Sequence, residues 1–351
     1  MAELLPRIIS LGHALPDTYV VPMRQWAKDM NYKTDAAKRL ADTTQIREKR
    51  LCMNPVGLSV QQLSEGYIKG ALELSCRSLQ ECLPPGYLQR LGSLIYVTTT
   101  QQLQVCPSMS FRIARELGLP DDVRLVDLVG DGCEGALPGL ETAYAHLETF
   151  GQPVAIIACE ICSATFFPAP ETDLANTISN FLFNDGAAAA LVDWSDDGSF
   201  PAILSFHRRY MAEGLNLLGY THLDGRLKVL LHKDVPKVVP PMVAQTVQEL
   251  LARNHRLLAP RHLSVRDIDH WCIHNGGPAI LDQVAGILEL KSDQDFRYSW
   301  QVLRECGNLS SATVGVIAQQ LHQDPANHHG YVVGCSMGAG AQVGAVLCRY
   351  G

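Results

Sequence analysis

The stretch RLVDLVGDGCEGALPGLETAYAHLETF, residues 124–150, decides the fold. Arg124 to Val129 is a short apolar run of strand length, Gly130-Asp131-Gly132-Cys133 is a small-residue turn, and Gly135 to Phe150 has the apolar spacing of a helix that Gly151 stops. A strand that turns through glycines into a helix presents the turn's side chain at the strand end. Here that side chain is the Cys133 thiol.

Outward from this unit the same plan recurs. Leu91 to Thr100 (LGSLIYVTTT) predicts a buried strand, and Pro107 to Leu117 a helix after it. Val154 to Cys159 reads as a strand, Ile178 to Phe183 as a helix, and Gly186 to Val192 (GAAAALV) as a small-residue strand with something packed closely against its backbone. In the C-terminal half, Asp267 to Ile273 predicts a strand that runs into His274-Asn275-Gly276-Gly277-Pro278 and a helix over Ala279 to Leu288. Glu305-Cys306-Gly307-Asn308-Leu309-Ser310-Ser311 then opens a helix from Leu309 to Leu321, with strands at Tyr331 to Val333 and Gly338 to Tyr350. Strands alternating with helices in two similar halves, residues 1–200 and 201–351, predict an α/β architecture of sheets between helical layers. Pro201, Pro236, Pro240, Pro241 and Pro260 mark the expected junction, from about Trp194 to Arg266.

Composition narrows the function classes. With 351 residues and 47% hydrophobic content, the chain can bury a large core. A net charge of -7 gives no basic footprint for nucleic acid, and no segment supplies the roughly 20 apolar residues of a membrane span. The start, Met1-Ala2-Glu3-Leu4-Leu5-Pro6-Arg7, has no basic region followed by a long apolar one, so a cytoplasmic protein is expected. The cysteines number eleven, an odd count, and Cys159, Cys272 and Cys348 lie in apolar runs. Cys159 and Cys162 have a metal-ligand spacing, but neither a second such pair nor a nearby histidine completes a zinc set. Reduced thiols and no metal are expected.

A thiol, an imidazole and a carboxamide, each at a glycine turn, make acyl-thioester chemistry at Cys133 the leading reading. Each residue has a plainer one. A cysteine among eleven is often a small buried hydrophobe, His274 after Trp271-Cys272-Ile273 can cap a strand, and Asn308 can serve as a turn asparagine beside Gly307. The following Gly276-Gly277-Pro278 implies close backbone approach and favours a site at His274.

In order along the chain, Ala37-Lys38-Arg39-Leu40-Ala41-Asp42, Cys133 with its helix, Leu182-Phe183-Asn184-Asp185-Gly186-Ala187-Ala188-Ala189, His274-Asn275-Gly276-Gly277-Pro278-Ala279-Ile280-Leu281-Asp282, Gly307-Asn308-Leu309-Ser310-Ser311-Ala312 and Gly338-Ala339-Gly340 resemble the thiolase-fold condensing enzymes. Among these the chain is most similar to the chalcone-synthase-like type III polyketide synthases, over most of its length. The resemblance implies a layered αβαβα fold of two similar halves and a homodimer. It implies Cys133 as nucleophile, with His274 and Asn308 as donors to an enolate or thioester oxygen. It also implies Phe183 as an aromatic gatekeeper between a pantetheine tunnel and the acyl cavity, and Thr165 and Ser310 as cavity-shaping residues. Thr98, Thr99 and Thr100 are expected as cavity lining. No metal or redox cofactor is implied, only pantetheine-linked thioester substrates.

Chemistry explains the residue types. A helix N-terminus and a nearby imidazolium can lower a cysteine pKa to about 3.5 to 7.5, which readies the thiolate to attack a thioester. Acyl transfer to the thiol splits one difficult carbon-carbon bond formation into two easier steps.

Departures from the family refine the question. Three positions that hold coenzyme A phosphates in plant members read Ala36, Arg39 and Thr43, leaving Arg39 as the one cation. A second aromatic gatekeeper is replaced by Val229, a methionine at the dimer interface by Cys106, and a proline in the last glycine loop by Ala339. Glu134 stands where an apolar residue is usual and is expected as a solvated carboxylate at the helix start, with an extra base as the alternative. Loss of two cations favours delivery by an acyl carrier protein, and with it the joining of two carrier-borne β-ketoacyl chains with lactonisation to an α-pyrone. The alternatives are an iterative synthase using a coenzyme A starter and malonyl units, a ketoacyl synthase III, and a non-catalytic acyl-carrier-binding subunit. A cysteine protease shares the Cys-His-Asn order but is disfavoured by the repeated strand-turn-helix halves.

Overall fold

The structure, a computed structural model, describes residues 4–101, 106–253 and 262–351. Met1 to Glu3 and Pro260 therefore lie outside the described residues. The first half contains β1 (Leu5–Ala14), β2 (Tyr19–Pro22), α1 (Met23–Asp29), α2 (Asp35–Thr43), β3 (Glu48–Leu51), α3 (Val60–Cys82), β4 (Ser93–Thr98), α4 (Met109–Leu117), β5 (Arg124–Val129), α5 (Ala136–Phe150), β6 (Val154–Glu160), α6 (Leu174–Leu182) and β7 (Gly186–Ser195). After it come β8 (Ala202–Tyr210), β9 (Leu218–Leu223), β10 (Arg226–Leu231), α7 (Val235–Ala252), β11 (His270–Ile273), α8 (Pro278–Ile287), α9 (Ser292–Asp295), α10 (Arg297–Cys306), α11 (Thr313–His322), β12 (Tyr331–Gly338) and β13 (Gln342–Arg349).

Nine strands form one sheet in the order β11-β12-β13-β8-β1-β7-β6-β4-β5. Between β1 and β8 the register is a single pair, Arg7 opposite Ala202, so the sheet is two limbs joined at a narrow seam. Helix α5 packs on β4, β6 and β7 and also reaches β13, while α11 touches β1, β7, β11 and β12. These two helices lie between the limbs. Outside them, α3 and α4 cover the first limb, and α7 covers β8, β12 and β13 with α8 beside it. The result is five layers, helix-sheet-helix-sheet-helix, with one apolar cluster around Leu74 and Ile157, one around Leu140 and Ile317, and one around Val243 and Leu281. The expected thiolase-like layering is present.

Burial on both faces accounts for the continuous apolar run of β6. The alanines of β7 serve a close approach: a Cβ added to Gly315 on α11 would sit 2.7 Å from the Ala188 Cβ. The expected helix at Ile178 begins earlier, at Leu174, because Asp173 accepts the Asn176 N–H as its cap at 3.1 Å. The last strand begins at Gln342, since Gly338 ends β12 and the chain turns between them. The stretch expected as a junction holds β8, the β9–β10 hairpin and α7, and the crossing between limbs occupies only Asp196 to Pro201. Pro236 sits in the first turn of α7, where its missing N–H is unneeded, and Pro240 and Pro241 are tolerated within it. Burial of Val243, Val247, Leu250 and Leu251 outweighs the two lost helical bonds.

Candidate active site

Cys133 sits in a 3-10 turn, Gly132–Glu134, between β5 and α5. Gly132 has φ 66° and would place a Cβ 2.5 Å from the Ala339 nitrogen, so the turn requires glycine. Gly338 is equally constrained, because a Cβ there would run into the Asp131 carbonyl. Bonds from both halves hold the turn: Gly132 N–H donates to Thr99 Oγ1 at 2.9 Å, Ala339 N–H to Asp131 O at 3.2 Å, and Ser336 Oγ to Cys133 O at 2.7 Å.

His274 follows β11, and its N–H donates to Cys335 O on β12 at 2.9 Å. Asn308 follows α10 and forms a parallel bridge with Phe183, its N–H donating to Leu182 O at 3.0 Å. Its Oδ1 accepts the Ser310 N–H at 2.8 Å, which fixes the carboxamide and leaves Nδ2 a donor without an acceptor among the described residues. Cys133, His274 and Asn308 line one largely apolar cavity of about 50 Å³, together with Phe183, Val229 and Met337. A smaller space of about 20 Å³ over the same cysteine is lined by Thr99, Tyr220, Ser310 and Ala339.

Burial sets the charges here. Desolvation pushes the Cys133 thiol up to about 12, opposed by the Ser310 hydroxyl and reinforced by the Glu160 carboxylate. Desolvation alone takes His274 down to about 3, and its Nδ1 has no partner among the described residues. Burial thus works against the expected thiolate beside an imidazolium and favours the neutral form of both groups. A raised thiol pKa means that the thiolate fraction grows with pH and shows no plateau near neutrality. Alkylation of Cys133 by iodoacetamide, followed by intact mass, is expected to accelerate about tenfold per pH unit from pH 6 to 9. A plateau below pH 7 would instead indicate an ion pair.

The sequence reading missed Glu160, the one charged residue in the buried run of β6. Its Oε2 accepts the N–H groups of Thr99 at 3.0 Å and Thr100 at 3.1 Å, and its Oε1 accepts Ser311 Oγ at 2.5 Å and Ser310 Oγ at 3.3 Å. Thr98 Oγ1 donates to it at 3.4 Å and accepts from Tyr67 Oη at 3.4 Å. Of the three threonines expected as cavity lining, Thr99 lines the space over Cys133, while Thr98 and Thr100 turn to Glu160.

Glu134 corrects a second expectation. Its side chain is fully buried, and both oxygens accept from Arg208 on β8, from Nε and Nη2 at 2.8 Å each. Gly344 on β13 stands opposite Arg208 and makes the room, since a Cβ there would strike the Glu134 carboxylate. A carboxylate so buried stays charged only with a bidentate cation, and a cation 74 residues away is invisible to local sequence. Arg208→Met is expected to lower stability by about 3 kcal/mol in urea unfolding, the low end for a broken buried pair because the Arg208 side chain is 35% exposed. Adding Glu134→Leu is expected to recover most of that loss.

Among the remaining expected residues, Phe183 and Val229 reach the cavity with Cys133, and Ser310 reaches the smaller space. Thr165 lines an adjoining pocket of about 20 Å³ that shares Phe183 and Val229. Arg39 is not brought to the site; it is exposed on α2 and lines none of these spaces. Ala339 packs against the nucleophile turn, and Cys106 is exposed. Two further lining residues escaped the sequence reading. Tyr220 pairs with Val229 across the β9–β10 hairpin and puts an aromatic ring beside the position where one was thought lost. Lys49 of β3 lines the pocket of Thr165, and burial brings its ammonium down to about 8. Among the described residues no cluster of histidine, cysteine and carboxylate suits a metal, and no helix is long and apolar enough to cross a membrane.

Known proteins match the chain in sequence and in fold. Residues 66–196 match the N-terminal domain of chalcone and stilbene synthases, and residues 213–349 match the C-terminal domain. The chain is 31% identical over 288 residues to the 3,5-dihydroxyphenylacetyl-CoA synthase of Amycolatopsis balhimycina, covering 80% of this chain and 74% of that protein. It is 29% identical over 300 residues to the 1,3,6,8-tetrahydroxynaphthalene synthase of Streptomyces peucetius subsp. caesius, covering 82% and 76%. The fold matches that of a type III pentaketide synthase from Neurospora crassa with a TM-score of 0.86 at 22% identity, over 99% of this chain and 100% of that one. The two domain matches and the synthase relatives identify an acyltransferase of the condensing type. The chain belongs to the chalcone and stilbene synthase family, the type III polyketide synthases.

Proposed function

We propose that the protein forms a carbon-carbon bond between two acyl thioesters, with the first acyl group carried on Cys133 and with His274 and Asn308 donating to the enolate oxygen of the second. One observation carries this reading: the three side chains come from three glycine turns in both halves and line a single apolar cavity. Cys133 attacks the thioester carbonyl and its proton passes to neutral His274, which returns it to the carrier thiolate as the carbon-sulfur bond breaks. The second acyl unit then supplies a carbanion, by loss of CO2 from a malonyl group or of an α-proton from a β-ketoacyl chain. The unspent Asn308 Nδ2 and an imidazole N–H hold the resulting enolate oxygen.

Coenzyme A-borne substrates in an iterative synthase are supported by the relatives, one of which is named for a coenzyme A product. Carrier-protein delivery, with joining of two β-ketoacyl chains and closure to an α-pyrone, stands as the second reading. Ala36 and Thr43 on α2 offer no charge for a nucleotide phosphate, and exposed Arg39 offers one. Intact-protein mass spectrometry of acyl loading decides, with one β-ketoacyl group offered on coenzyme A and on an acyl carrier protein. Loading at least as fast from coenzyme A supports the iterative enzyme, faster loading from the carrier supports chain joining, and no adduct from either defeats the Cys133 reading. A homodimer is supported by edge strand β5, where Val129 is 55% exposed, and by neighbouring α4, where Phe111 is 49% exposed.

A further inference from the structure

We propose that the pocket beside Phe183 is an anion subsite, in which Lys49 holds a carboxylate borne on the acyl chain of the substrate. The site it extends is the Cys133 loading site proposed above, and the inference narrows the substrate class to acyl thioesters with a second, negatively charged end.

Lys49 is a buried cation with unspent donors. Its side chain is 2% exposed, yet its Nζ makes one hydrogen bond, to the Phe183 carbonyl, and lies 5.5 Å from the centre of the Trp26 ring. An ammonium has three N–H donors, and the other two find no acceptor among the described residues. Asp185, the carboxylate that Lys49 senses, is spent elsewhere: it accepts Cys52 N–H at 2.7 Å, Ser163 N–H at 2.7 Å and Ser163 Oγ at 2.6 Å. Taking a charge out of water without a counter-ion is costly, so this ammonium is set to gain from an anion.

The pocket has room for one. Its free space of about 20 Å³ is bounded by Trp26, Lys49, Cys162, Thr165, Phe183 and Val229, and no acidic residue lines it. Trp26 and Phe183, the two residues that flank the ammonium, line this space together with Lys49. Phe183 and Val229 also wall the cavity over Cys133, which makes the two spaces neighbours. An acyl chain on the thiol that passes between Phe183 and Val229 leads its far end towards Lys49. A carboxylate there offers two oxygens to two free N–H groups in a charge-assisted pair.

Two N-acetylcysteamine thioesters test the proposal: glutaryl, and 5-methylhexanoyl as its neutral isostere. Binding is measured by calorimetry on Cys133→Ala, and loading by intact mass on the wild type. The glutaryl thioester is expected to bind about tenfold or more tightly than its isostere at pH 7, Lys49→Arg to keep the preference, and Lys49→Met to erase it. Equal binding of the two thioesters before any change at Lys49 overturns the proposal. So does an equal loss of both in Lys49→Met, which would make Lys49 only a support for Phe183. If Lys49→Met does not fold, the paired thioesters on Cys133→Ala decide alone. A charge preference in binding without loading of Cys133 keeps the subsite and defeats the nucleophile, whereas loading without charge preference does the reverse.

Discussion

Cys133→Ala is expected to leave no acyl adduct from any thioester donor and to lower condensation by on the order of a thousandfold or more. The effect should be this large because covalent transfer has no substitute: the other groups on the cavity wall are an imidazole, a carboxamide and apolar side chains. The fold should survive, since the thiol is a minor part of a turn held by the Thr99, Asp131 and Ser336 bonds. Unchanged urea unfolding alongside lost loading separates chemistry from collapse. A Cys133→Ala protein that still carries an acyl group would move the nucleophile elsewhere.

Asn308→Asp should be the second largest. The substitution keeps Oδ1, and with it the bond to the Ser310 N–H, but replaces the Nδ2 donor with an oxygen. Condensation is expected to fall by about 100- to 1000-fold, the usual cost of one lost oxyanion donor, while the loading of Cys133 changes little. Single-turnover measurements of loading and of product release from preloaded enzyme read the two steps separately. Equal damage to both would mean that Asn308 shapes the turn and does not touch the reacting oxygen.

The pH behaviour bears on both experiments. Burial pushes the thiol up and the imidazole down, which favours the neutral form of both before substrate arrives. In the proposed reaction the proton then moves from Cys133 to His274 as the carbonyl is attacked, and alkylation rates are expected to rise with pH as set out above. The Glu160 carboxylate pushes the Cys133 thiol further up through space, and Ser310, beside the thiol, donates its hydroxyl to Glu160 at 3.3 Å.

Local pattern and tertiary contact divide the credit unevenly. The strand over Arg124–Val129 and the helix ending at Phe150 were readable because their apolar periods and glycine stops are local. The motif order at Cys133, His274 and Asn308 was readable because each turn needs glycine beside it, and glycine leaves a mark in the sequence. Glu134 was misjudged for the opposite reason. Its charge is matched by Arg208 from another layer, and its space comes from Gly344 on a third element.

By itself, the sequence determined the alternation of strands and helices, the apolar layers and the three glycine turns with their thiol, imidazole and carboxamide, because these rest on steric rules within a few residues. Only the tertiary structure decided that the cavity over Cys133 is small and shared by both limbs, that Glu160 anchors the threonines behind it, that Tyr220 stands over the cysteine, and that Lys49 lines the adjoining pocket. Those outcomes depend on burial and on partners far apart in the chain. Desolvation and pairing are properties of the assembled layers, and no run of neighbouring residues carries them.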